Sequence, residues 1–364
     1  MTPSTDSDAS KFLETLELPG IGRTLAEVGR VVAVDRTGAT PEARIELGFP
    51  AMSRHAEFTA ALAKALDERT GAAGARISIA TRIVAHGVQR NLKPLPEVRN
   101  IIAVASGKGG VGKSTVAVNL ALALAAEGAA VGLLDADIYG PSQPQMVGLA
   151  GRQPQSDDGK TMQPLIAHGI QVMSIGFLVD ADQPMIWRGP MVTSALQQLL
   201  HQTRWHDLDY LIVDMPPGTG DIQLSLSQQV PVSGAVIVTT PQDIATLDAR
   251  KGLAMFRKVS VPVLGIIENM STHVCSQCGF EEPIFGTGGG EKMAADFDVE
   301  LLGQLPLDAR IREQTDSGRP TVVADPDSAA AAAYRAAAIR LGAAQAAQGR
   351  DYSSRFPKIV VEES

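Results

Sequence analysis

From position 100 onward, apolar residues come in short, nearly unbroken runs separated by longer mixed segments. Residues 100–104, 130–135, 170–175, 209–214, 234–240 and 263–268 each read as a strand. Runs that are apolar at every position belong to strands covered on both faces. Helical segments between them imply a doubly wound, mostly parallel sheet. Before position 100 the pattern differs. Residues 28–34 and 43–49 read as strands, the second in period two, with 35–41 as the turn. A short helix is expected over 11–18. Phe58, Leu62, Ala65 and Leu66 share one helical face within 56–69, and the glycines at 71 and 74 end that helix ahead of a strand over 75–84. The first part is therefore a small α/β unit. Residues 91–99, with Pro94 and Pro96, read as a semi-rigid linker.

The expected division is a disordered lead at 1–10, the small unit at 11–90, the linker at 91–99, an α/β nucleotide-binding domain at 100–348 and a flexible tail at 349–364. Near the end, Ser328 is placed to cap an alanine-rich helix reaching about position 347. The chain of 364 residues carries a net charge of −8, which argues against bulk binding of nucleic acid or of an anionic membrane. No apolar run approaches the length of a membrane span. Residues 1–10 have neither a basic start nor an apolar core, so they are not read as a signal peptide, and a cytoplasmic location is expected. Two cysteines in so long a chain exclude a disulfide framework.

The first expected strand of the large domain leads into Gly107-Lys108-Gly109-Gly110-Val111-Gly112-Lys113-Ser114-Thr115, and a helix follows. Strand, glycine-rich loop and helix form a phosphate-binding loop. Its glycines let several N–H groups point at one phosphate, and the helix N-terminus adds to that field. Lys113 is placed to reach the β- and γ-phosphates of a nucleotide such as ATP, and the Ser114 hydroxyl to ligate Mg²⁺. Asp214 ends an apolar strand and is the expected carboxylate of the Mg²⁺ shell. Asp135 and Asp137 follow another strand end. Asp135 is expected to support that shell, and Asp137 to orient or deprotonate the attacking water. The segment Pro216-Pro217-Gly218-Thr219-Gly220 reads as a switch that moves on hydrolysis, with Asp221 a weaker contact. An ordinary phosphate loop has no need of Lys108. With it, the loop resembles the deviant type of the nitrogenase-reductase and Min/Par ATPases. That resemblance implies a dimer in which Lys108 reaches the partner's nucleotide, and it places Asn269 against the adenine.

Cys275-Ser276-Gln277-Cys278 is the other candidate for chemistry. A C-x-x-C converges two thiolates on one point, yet that is half of a four-coordinate site, and no further cysteine exists. A twofold axis would supply four thiolates to one [4Fe–4S] cluster or one Zn²⁺. A local disulfide or two idle thiols are the alternatives. His273 is a possible spare ligand, read instead as a solvated loop residue.

Taken together, the loop at 107–115, Leu133 to Ser142, Trp187-Arg188-Gly189-Pro190-Met191, Asp214 to Asp221, and Glu268-Asn269-Met270-Ser271 leading into the cysteines resemble the Mrp/ApbC-type iron–sulfur cluster carrier ATPases. The small unit, with Leu47-Gly48-Phe49-Pro50-Ala51, is similar to a domain of iron–sulfur assembly factors. The resemblance implies a homodimer that hydrolyses ATP slowly and holds a labile [4Fe–4S] cluster at Cys275 and Cys278. It would take the cluster from scaffold proteins and pass it to apo-proteins, with no nucleic acid or membrane as partner. A Min- or Par-like positioning ATPase and a zinc-bridged regulatory dimer are the rival readings. An electron-transfer protein like the nitrogenase reductase fits less well, because that pattern takes one cysteine from each of two loops.

Overall fold

A computed structural model of the chain describes residues 6–36, 40–89, 92–178, 189–275 and 277–349. The small unit begins with α1 (Ser7–Glu14). Its N-cap is Asp6, whose carboxylate accepts hydrogen bonds from the N–H groups of Asp8 and Ala9, both at 3.1 Å. Ala9 and Leu13 are buried, so the helix starts inside the stretch expected to be a loose lead and stops short of position 18. α2 (Leu25–Val28) leads into β1 (Gly29–Asp35), which pairs antiparallel with β2 (Glu42–Leu47). α3 (His55–Thr70) crosses over to β3 (Arg76–Thr81), parallel to β2. Phe58, Leu62 and Leu66 of α3 are buried against Ile45, Leu47 and Phe49, as their spacing predicts.

The large domain begins with β4 (Val98–Ser106), so Val98 and Arg99 are sheet rather than linker. Next come α4 (Lys113–Ala126), β5 (Val131–Asp135), α5 (Gln143–Met146), β6 (Leu165–Ala167), β7 (Ile170–Ser174) and α6 (Gly189–Gln202). β8 (Leu208–Asp214), α7 (Asp221–Gln229), β9 (Gly234–Thr239), α8 (Asp243–Lys258) and β10 (Val263–Glu268) continue the alternation. A hairpin of β11 (His273–Val274) and β12 (Glu281–Glu282) precedes α9 (Gly289–Phe297) and β13 (Leu301–Gln304). α10 (Ala309–Asp316), α11 (Thr321–Ala324) and α12 (Ala329–Ala346) close the described chain. The sheet order is β13-β10-β9-β4-β8-β5-β7-β6, parallel throughout except for β6. β4 and β8 are therefore central, and their carboxyl ends, where ligands bind in such folds, lie side by side.

α4 is buried along nearly its whole length and is apolar on all sides, because the sheet covers one face and α12 another. α12 is capped by Ser328 as expected, but it serves two cores at once. Tyr334, Ala337, Ala338 and Leu341 pack in the large core; Ile339, Ala343 and Ala346 pack in the small one. Gly342 lets Pro50 and Phe49 approach α12, where an added Cβ would meet them at 3.1 and 3.2 Å. Glu127, just past α4, accepts a hydrogen bond from the Ser53 N–H at 2.8 Å, and Arg23 pairs with Glu300 at 2.5 Å. The small unit is thus docked on the end of α4 remote from the phosphate loop.

Candidate functional site

The phosphate loop sits where β4 ends and α4 begins. Gly110 and Gly112 adopt left-handed φ of 81° and 78°, which β-branched or bulky residues avoid. Two glycines are required by their neighbours. A Cβ on Gly107 would overlap the backbone of Asp248 in α8, and one on Gly112 would overlap the Asn269 side chain. Above Gly109 and Gly110, by contrast, an added Cβ meets nothing within 4 Å, so the open face of the loop is the one a phosphate would approach. Val111 is buried beneath it; Lys108 and Thr115 are half-exposed at its edges.

Register places the acids. Asp135 of β5 and Asp214 of β8 are paired positions at the ends of neighbouring strands, and both are fully buried. Lys113, 5% exposed, forms an ion pair with Asp214, lies 3.2 Å from the Ser114 hydroxyl and 4.0 Å from Asp137. Ser114, Asp137 and Asp214 are therefore brought together around one lysine. Their hard oxygen donors suit Mg²⁺. Asp135 is different. Its Oδ1 accepts from the Asp137 N–H, and its Oδ2 from the Gln143 N–H and the Ser174 hydroxyl. Burial, and then the adjacent Asp214 charge, push its pKa up to about 7. Asp137 is also raised, first by burial, with Lys113 pulling the other way.

Asn269 follows β10 and donates its side-chain amide to the Val111 carbonyl at 2.9 Å. Its first partner is thus the loop itself. In the switch stretch, Gly218 donates its N–H to the Ser106 carbonyl at 3.0 Å, and Gly220 precedes α7. The side chain of Asp221 lies outside the described residues, as do Trp187 and Arg188.

The hairpin of β11 and β12 carries the cysteines. The Cys275 N–H donates to the Phe280 carbonyl at 3.0 Å, and the Gly279 N–H to the Cys275 carbonyl at 2.9 Å. Gly279 turns the chain at φ 70°. N–H groups of Cys278 and Gln277, then the Cys278 thiol, point at the Cys275 sulfur and hold its pKa below the usual thiol value. Donors aimed at a sulfur anion suit a metal-bound thiolate. Among the described residues no group of three or more His, Cys, Asp or Glu side chains could hold a metal ion. His273 makes its contact with the Leu307 carbonyl at 3.3 Å.

Sequence reasoning missed Gln143. It follows Tyr139-Gly140-Pro141-Ser142, is fully buried, and donates its side-chain amide to Asp214 Oδ2 at 2.8 Å and to the Ser114 carbonyl at 3.0 Å. Its only local signal was a polar residue directly after a turn that bends the chain back toward the loop.

Residues 97–341 match the model of the ParA family described as NUBPL iron-transfer P-loop NTPase. The chain belongs to this family. It is 58% identical over 282 residues to the iron-sulfur cluster carrier protein of Pseudomonas fragi, covering 77% of this chain and 98% of that one. It is 51% identical over 334 residues to the iron-sulfur cluster carrier protein of Haemophilus influenzae, covering 92% and 90%. Among solved structures it is similar to a nucleotide-binding protein in complex with ADP from Archaeoglobus fulgidus, at 38% identity and a TM-score of 0.55, covering 61% of this chain and 88% of that one. The doubly wound P-loop NTPase fold and the Mrp/ApbC-type resemblance both stand, and nucleoside triphosphate hydrolysis is the chemical class of the family.

Proposed function

We propose that this chain is an ATP-hydrolysing carrier that holds a [4Fe–4S] cluster as cargo between two copies of itself and hands it to apo-proteins. The observation that carries the reading is the cysteine turn. It presents two sulfurs and donors that favour thiolate, half of a four-thiolate site, at the same end of the sheet as the phosphate loop. Ile244 and Leu247 of α8, and Phe280 and Ile284 of the hairpin, are exposed apolar residues at that end. A second copy docking there would cover them and complete the ligand set. Lys108, half-exposed beside the loop, is then placed to serve the partner's nucleotide.

In the nucleotide site, Lys113 exchanges Asp214 for phosphate oxygens. Asp214 and Ser114 would then hold Mg²⁺, which would neutralise charge on the phosphates. Asp137 orients the attacking water, and Asp135 sets the field behind Asp214. Among the segments that meet the loop are 214–221 and the chain after β10. Of these two, only the second is continuous with the hairpin. Asn269 holds Val111, Met270 sits at φ 57°, and Cys275 lies five residues beyond Met270. The change at the loop on hydrolysis therefore reaches the cysteines through Asn269. This route predicts that adding MgATP changes the alkylation rate of Cys275 in the wild type and not in Asn269→Ala at saturating nucleotide. A wild-type rate indifferent to nucleotide would sink it.

The decisive experiment is anaerobic reconstitution with iron and sulfide, beside a Cys275→Ser/Cys278→Ser variant. About four iron per two chains, with a broad visible band lost in the variant, is expected. Colourless protein holding zinc would favour the zinc-bridged dimer. The positioning-ATPase reading draws no support from α12, which is buried between two cores rather than offered to a surface.

A further inference from the structure

Gln143 is the most densely connected polar side chain of the site that no reading of the motifs assigns. Its backbone N–H meets Asp135, and its side-chain amide meets both Asp214 and the Ser114 backbone. One residue thus ties together Asp135, Asp214 and the Ser114 backbone. Its Oε1 is buried and finds no hydrogen-bond donor among the described residues. A buried amide oxygen without a donor is uncommon and calls for a reason.

The physical setting supplies one. Asp137 and Asp214 face a single lysine, and Asp135 adds its carboxyl directly behind Asp214. A fourth carboxylate would add repulsion, whereas an amide donates to Asp214 without adding charge. By holding Oδ2 of Asp214, it leaves Oδ1, the atom now paired with Lys113, as the oxygen that can turn to a cation. Its own Oε1 is then the acceptor left for a water in the cation's shell. The turn at 139–142 serves this placement. Pro141 and Pro144 pack where a Cβ on Gly176 would meet them at 3.2 and 3.1 Å, which pins the returning chain.

We infer that Gln143 is a positioning residue for the Mg²⁺–nucleotide site, fixing Asp214 for the cation and anchoring a water of its shell. The inference rests on the proposed nucleotide site and deepens it. The test is calorimetric titration of the full chain with ADP, with and without Mg²⁺, for wild type, Gln143→Leu and Gln143→Asn. Leu keeps the volume and removes both polar atoms; Asn keeps the amide but shortens its reach. Wild type should bind ADP more tightly with Mg²⁺. In Gln143→Leu the affinity for metal-free ADP should hold while the gain from Mg²⁺ falls about ten-fold. The concentration of Mg²⁺ giving half that gain should rise in both variants. Should the Leu variant not fold, the Asn variant decides. An unchanged Mg²⁺ half-saturation in a folded variant, with wild type responding normally, would overturn the role of Gln143 alone. A wild type that binds ADP without any response to Mg²⁺ would overturn the site and the inference together.

Discussion

Lys113 and Cys278 mark two sites that lie at the same end of the sheet and are built in opposite ways. Lys113 is 5% exposed, at the start of a buried helix, and Asp214 at one strand end and Asp137 just past the end of the neighbouring strand converge near it. Cys278 is exposed, on a turn between strands of two residues each. The nucleotide site is held in shape by the core of one chain. The cysteine turn is held by the backbone hydrogen bonds of its hairpin and by the contacts of that hairpin with Leu307, and it leaves Cys278 exposed and Cys275 half-exposed. A site that keeps its ligand benefits from the first construction. A site that must accept cargo, share it with a second copy and release it needs the second.

The largest effect expected from this contrast is on stability. Lys113→Ala leaves the buried Asp214 without its cation and should cost about 3 kcal/mol. Cys275→Ser/Cys278→Ser changes exposed or half-exposed atoms and should stay within about 0.5 kcal/mol. Urea denaturation of the metal-free, nucleotide-free protein measures both. A cysteine variant that loses more than the lysine variant would break the comparison.

How far each region was legible follows the same division. Strands ending in Asp135, Asp214 and Glu268 were readable because strands buried on both faces must be apolar at every position. The loop was readable because Gly107, Gly110 and Gly112 are each required by a left-handed turn or a close neighbour. What stayed hidden depends on distant partners. That α12 serves two cores is decided by Phe49 and Pro50, some three hundred positions away, and an alanine-rich pattern shows a helix without showing what covers it. β13, four residues with a register shift against β10, is too short to stand out. α1 was expected at 11–18, four residues late, although the signal for its true start was present: Asp6 as cap, then Ala9 and Leu13 on one face. Gln143 had no periodicity to announce it.

A smaller effect sharpens the contrast by pH. Asp135 has a folded pKa of about 7 against an ordinary 3.8, because of burial and the Asp214 charge. A carboxyl whose pKa is raised on folding stabilises most when protonated. Its contribution is full below about pH 4, falls as pH rises toward 7, and is flat beyond. The fall is at most about 1.4 kcal/mol per pH unit. Asp135→Asn is neutral throughout and keeps an acceptor for Gln143 and Ser174. In EDTA, its melting temperature should therefore gain on wild type from pH 5 to pH 7 and run parallel above. Parallel curves across the whole range would mean that Asp135 is not the group that titrates.

The smallest effect concerns the two sulfurs themselves. Cys275 is the less exposed of the pair, so access alone would make Cys278 react first. The chemistry points the other way. N–H groups of Cys278 and Gln277 stabilise the Cys275 thiolate, and the Cys278 thiol adds a third donor. The thiolate is the reactive form, so near neutral pH Cys275 should be alkylated first by iodoacetamide, by a few-fold. Peptide mapping by mass spectrometry after partial reaction gives the order. Raising the pH to about 9 should erase the preference, since thiolate formation at Cys275 no longer depends on those donors. If Cys278 reacts first at every pH, exposure outweighs the turn's donors, and the turn is not organised around a sulfur anion. If Cys275 leads at neutral pH and the lead vanishes in base, the donors are set before any metal arrives. The exposed turn would then share one property with the buried loop: each holds its N–H groups ready for an anion, one of phosphate and one of sulfur.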